Sequence, residues 1–145
     1  PPSQNLTAAD VDNLSIIDTS SEPSVEMHEM TIADGIASGN PTLVLFAAPG
    51  YCQSFICGPE YEIMKKLYGE YQGKPVNFIH VEFYQDAARG NRNPVAAAQE
   101  WNLRTEPWFF LIDGDGKIAA AKPCGRSATR PVATSPQARA VSSVL

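Results

Sequence analysis

A chain of 145 residues is long enough for one domain with a hydrophobic core and short for two. Its 43% hydrophobic and 19% charged residues are those of an ordinary globular protein, and no apolar run approaches the roughly 18 residues that cross a bilayer. A net charge of −5 argues against a nucleic-acid partner, which calls for a basic footprint.

The chain opens on Pro1-Pro2 without a methionine, which reads as a start processed or cut away. Residues 1–30 are rich in Ser, Asp, Asn, Pro and Glu and read as a polar N-terminal arm or linker, either a tether or an extended arm lying on the domain. His28, within it, has no obvious partner. Thr31 with Asp34 three positions on has the form of a capping box, opening a short helix that stops at Gly39-Asn40. Pro41–Phe46 is a continuous apolar run bounded by turn residues, the pattern of a strand buried on both faces. Residues 47–56 read as loop, and a helix is expected from Pro59, a residue suited to a first helical position because it lacks an N–H. Tyr61, Met64, Leu67, Tyr68 and Tyr71 recur at helical spacing and give that helix one core-facing side.

Val76–Tyr84 reads as a second buried strand, in which His80 is expected as a packed core residue rather than a ligand. A helix from Pro94 to Trp101 follows, then strands at Trp108–Ile112 and Lys117–Ala121. The last two are joined by Asp113-Gly-Asp-Gly116, which reads as a hairpin turn because the downstream acidic ligands of a calcium loop are missing. Strands alternating with helices, then a hairpin, predict an α/β domain over residues 31–121 with a mixed central sheet flanked by helices. Residues 122–145 carry no acidic residue and no apolar period, and are expected to be an atypical, disordered or weakly ordered tail.

Three cysteines leave at least one unpaired within a monomer and are too few for a disulfide scaffold. Cys124, in the tail, reads as incidental. Cys52 and Cys57 are different, because they lie where a buried strand runs through a loop into a helix. A helix N-terminus presents unpaired N–H groups and a partial positive charge, which favour a thiolate.

Several pieces in order make residues 31–121 resemble the thioredoxin superfamily. They are Leu43–Phe46 before the site, Cys57-Gly58-Pro59, Glu70–Lys74 closing the helix, Thr105-Glu106-Pro107, and Leu111–Lys117 in the hairpin. The chain is similar to bacterial extracytoplasmic thioredoxin-like proteins with a Cys-Gln-Ser/Thr-x-x-Cys-Gly-Pro motif. The resemblance implies a thioredoxin-like fold, here without an evident C-terminal helix, and thiol–disulfide exchange at Cys52 and Cys57. It implies a cis Pro107, with the Glu106 backbone beside the thiols to pair with an extended substrate and Trp108 at the edge of the groove. It implies an extracytoplasmic monomer acting on protein or small-molecule disulfides, without cofactor or metal.

The spacing departs from the family's Cys-x-x-Cys. Residues three apart on a helix have Cα atoms about 5 Å apart, within disulfide range, whereas five apart gives about 8.6 Å. Cys52 and Cys57 can therefore bond only across a non-helical loop, which a helix starting at Pro59 would leave between them. Two registers remain open. The helix end makes Cys57 the resolving cysteine and Cys52 the nucleophile; the Cys-Gly-Pro match makes Cys57 the nucleophile with Glu60 in the resolving position. Two other functions compete with exchange. One is a non-catalytic binding module stapled by a structural Cys52–Cys57 disulfide; the other is a copper(I) carrier, disfavoured because no His lies in a loop after the core.

Overall fold

The apolar run at 41–46 forms the central strand β1, Thr42–Ala47, with every residue buried. The protein is described by a computed structural model covering residues 1–52 and 57–123. β1 lies between β2, Asn77–Glu82, which runs parallel to it, and β5, Trp108–Ile112, which runs antiparallel. β6, Ile118–Pro123, closes the four-stranded sheet in the order β2-β1-β5-β6. The Asp113–Gly116 turn that joins β5 to β6 is held by Asp113, whose Oδ1 accepts the N–H groups of Asp115 and Lys117 at 3.0 and 2.9 Å. This is the hairpin expected of that tetrapeptide. β6 carries Lys122 and Pro123 into pairing with Phe109 and Trp108, two residues past the expected close of the domain. The readings of the tail and of a missing C-terminal helix fall on residues 124–145, outside the described residues.

Period-two alternation divides the core into two layers. Leu43, Leu45 and Ala47 of β1, Phe78 of β2, and Phe109 and Leu111 of β5 pack under α2, Cys57–Glu70, whose Tyr61, Met64 and Leu67 face them. Val44, Phe46, Ile79, Val81, Phe110 and Ile112 face the other way, toward α1, Ile32–Ala37, and α3, Ala96–Glu100. α1 has the expected capping box: Thr31 Oγ1 accepts the Asp34 N–H at 3.0 Å, and the Asp34 carboxylate accepts the Thr31 N–H at 3.1 Å.

Two features depart from the pattern reading. The expected strand 76–84 ends at Glu82; Tyr84–Asp86 instead forms β3, paired antiparallel with β4, Asn91–Pro94. These strands are short, polar and closed by a proline, so they leave no alternation to detect. The segment before residue 31 lies on the domain as an arm rather than trailing as a tether. At its start, Asn5 Oδ1 accepts the Ile32 N–H at 2.7 Å, and Ser3 bonds to Glu100 and accepts from Trp101 Nε1 at 3.1 Å. Further on, Met27 is buried in the layer under α2. The arm thus reaches both faces of the sheet. No helix among the described residues is long and apolar enough to cross a membrane.

Candidate functional site

The C-terminal end of β1 and the N-terminus of α2 meet at the cysteines. Cys57 is the first residue of α2 and is fully buried; Cys52 precedes the helix and is half-buried. The two are disulfide-bonded, with Cα atoms 6.0 Å apart. That separation is within the range a disulfide tolerates and shorter than five helical steps. The helix begins two residues earlier than Pro59 indicated, so Pro59 sits in the first turn, where a missing N–H still leaves no intrahelical bond unmade. The expectation of a non-helical loop falls on residues 53–56, outside the described residues.

Glu106 joins the two cysteines. Its Oε2 lies 3.9 Å from Cys57 Sγ and accepts the N–H of Ala48, at the end of β1. Burial raises the Glu106 carboxyl above the ordinary carboxylate range, opposed by that bond, by a bond with Tyr84, and by Arg92. The Glu106–Pro107 peptide is cis. Trp108 stands at the same end of the sheet but on the other face, half-buried and stacked on Phe110 at 5.6 Å. The structure therefore brings Glu106 to the disulfide, with the cis-bonded Pro107 next to it in the chain, and packs Trp108 into the layer toward α3.

Behind this group lies Glu82, 4% exposed, which sequence reasoning missed. In β2 the residues Phe78, His80 and Glu82 share parity and so share the α2 side of the sheet, turning from apolar to polar toward the site. That parity was legible; what the carboxylate meets was not. Its Oε2 accepts the N–H and the hydroxyl of Thr19, from the arm, at 2.9 and 3.0 Å. Burial pushes the Glu82 carboxyl up to about 8 against these two bonds, and the neighbouring Asp18 and Glu106 charges push it the same way. The Oε1 atoms of Glu82 and Glu106 have no hydrogen-bond partner among the described residues. Two carboxyls with raised affinity for protons thus sit below the disulfide.

The same Thr19 braces the loop that carries Cys52. Its hydroxyl accepts the Gly50 N–H at 3.0 Å, and its carbonyl oxygen would lie 2.4 Å from a Cβ at position 50. Only glycine allows this approach. Once the disulfide is reduced, a metal could also use the site's donors: one ligand atom each of Cys52, Cys57 and Glu106 lies within 4.8 Å of the others.

No protein-family model and no curated protein matches the chain. Among solved structures it is similar to the crystal structure of a provisionally named thiol:disulfide interchange protein DsbE from Chlorobium tepidum. The TM-score is 0.53 at 16% identity, over 79% of this chain and 82% of that one. At that identity the likeness bears on fold, and with the mixed sheet, the flanking helices and the disulfide at the β1–α2 junction it makes the fold thioredoxin-like.

Proposed function

We propose that this chain is a thiol–disulfide oxidoreductase whose working pair is Cys52 and Cys57. The observation that carries the reading is the asymmetry of the disulfide: one cysteine half-exposed, the other buried at a helix N-terminus beside a carboxyl. In the reduced protein the Cys52 thiolate attacks a substrate disulfide, forming a mixed disulfide and releasing one substrate thiolate. Cys57 then attacks Cys52 Sγ, releasing the second substrate thiol and restoring the Cys52–Cys57 bond. The substrate gains two electrons and the pair loses two; the reverse sequence oxidises a dithiol.

Glu106 is suited to take the proton of Cys57 as that thiol becomes the attacking thiolate, because it is close and holds protons more tightly than an exposed carboxyl. Glu106 and Pro107 form the wall along which an extended protein or a small disulfide would lie. A disulfide of this kind persists in an oxidising compartment, which favours an extracytoplasmic location.

Redox titration of the pair against a glutathione or dithiothreitol buffer tests the proposal. A resolvable two-electron couple above about −300 mV, lost with exchange activity in Cys52→Ser, is the expected result. A bond that mild reductants leave intact, with a large loss of stability when it is finally reduced, makes it a structural staple and overturns the reading. Copper(I) carriage is the second reading, favoured by the convergence of the Cys52, Cys57 and Glu106 donors. Copper(I) titration of the reduced protein followed by absorbance decides it.

A further inference from the structure

A second cluster lies between the arm and the core, and the redox chemistry makes no use of it. Asp18 and His28 come from the arm, His80 from β2 and Tyr61 from α2, and none is more than 1% exposed. His28 Nε2 is 3.1 Å from Asp18 Oδ2 and 3.3 Å from His80 Nδ1. His80 Nδ1 is 4.0 Å from the same carboxylate oxygen. Three donor atoms from three side chains therefore mark the corners of a triangle.

With bonds of about 2.0–2.1 Å, tetrahedral zinc holds its ligands about 3.3–3.4 Å apart. The two edges at His28, 3.1 and 3.3 Å, are close to that spacing, whereas the His80–Asp18 edge of 4.0 Å must close by about 0.6 Å to seat the ion.

The surroundings orient the donors. His80 Nε2 faces the carbonyl oxygen of Ala47 at 3.1 Å. A carbonyl only accepts, so Nε2 carries the proton and Nδ1 turns its lone pair into the cluster. An imidazole that ligates through one nitrogen and donates its other N–H to a backbone carbonyl is the usual outer-shell arrangement of zinc sites. Asp18 is fixed likewise: its Oδ1 accepts the Ser20 N–H at 3.0 Å, and the Tyr61 hydroxyl donates to Oδ2.

A buried carboxylate and a buried imidazole that turns its lone pair toward it, both away from water, form a site for a divalent cation.

We propose that Asp18, His28 and His80 bind one zinc ion, with Tyr61 oxygen or a water in the fourth position, and that the ion clasps the N-terminal arm to the core. The ion takes the Nε2 lone pair of His28, whose proton moves to Nδ1. The site is closed, with no position reached by substrate, so its role is structural.

The test uses the full chain in its disulfide form, in which Cys52 and Cys57 cannot ligate. After incubation with zinc and desalting, elemental analysis should find one zinc per chain, and zinc should raise the thermal midpoint. Cobalt(II) in its place should give the intense visible bands of a tetrahedral site without a near-ultraviolet thiolate band. His28→Gln should bind zinc at least tenfold more weakly. A folded wild-type chain that retains no zinc overturns the proposal, as does a thiolate band in the cobalt spectrum or a folded His28→Gln chain that binds as tightly as wild type. Should His28→Gln not fold, the stoichiometry and cobalt spectrum of the wild type decide alone.

Discussion

Two buried polar regions sit on the same face of the sheet, two residues apart along β2, and they are built in opposite ways. Around Asp18, the side chains of His28, His80 and Tyr61 and the backbone N–H groups of Ser20 and Ser24 close on the carboxylate, although the Ser20 hydroxyl lacks a partner among the described residues. Around Cys57, Glu82 is buried and Glu106 half-buried, each with one buried oxygen lacking a hydrogen-bond partner among the described residues. A closed network holds a single arrangement, whereas a carboxyl left short of partners gains or loses a proton readily. The first region is constructed to tie the arm down and the second to change state. Thr19, next to Asp18 and bonded to Glu82, connects them.

The comparison breaks most visibly at the cysteines. Cys52→Ser or Cys57→Ser should abolish disulfide exchange with a model substrate while far-ultraviolet circular dichroism stays native. Residual exchange in both variants would remove the second region's role. Asp18→Ala should act in the opposite sense. In chelator it should destabilise the protein by about 3–5 kcal/mol in urea unfolding, because His28 and Tyr61 lose their buried partner. Exchange rates normalised to folded protein should be unchanged.

Stability should fall as pH rises, again measured in chelator. A folded Glu82 with its carboxyl near 8 binds a proton that an unfolded glutamate releases near its ordinary value of 4.5. Its favourable contribution is complete below about 4.5 and lost as pH climbs through about 8. His80, pulled down, acts the other way, and its contribution is lost as pH falls from 6.5 toward about 4. The two therefore oppose each other in acid, and the net decline, on the order of 2 kcal/mol, should appear between about pH 6.5 and 8. Glu82→Gln should flatten it.

Gly50→Ala should cost about 1–3 kcal/mol, since its methyl meets the Thr19 carbonyl and pushes the arm from the loop. The smallest effect is expected at the surface. Lys66 and Glu70 are 3.9 Å apart and well exposed, so Lys66→Ala should change stability by less than about 0.5 kcal/mol.

Local pattern carried much of this molecule. The Thr31–Asp34 capping box, the apolar run of β1, the three- and four-residue spacing in α2 and the Asp113–Gly116 turn each involve residues close in the chain, and each formed as its chemistry required. The start of α2 was misjudged by two residues because a proline is tolerated anywhere in a first turn. The cysteine pair was legible as a pair, from its place between strand and helix.

Partners far apart in sequence were another matter. Nothing within residues 1–30 marks Asp18 as the acceptor for His28 and Tyr61, or Thr19 as the cap on a carboxylate 63 positions away. A polar segment looks the same whether it trails in water or is drawn under a helix. By itself, then, the sequence determined the strands, the main helix and the position of the two thiols, because these follow from periodicity and turn chemistry over a few residues. Only the tertiary structure decided that the carboxyls of Glu106 and Glu82 stand below the disulfide and that the arm is built into the core, because burial and hydrogen-bond partners arise when distant segments pack together.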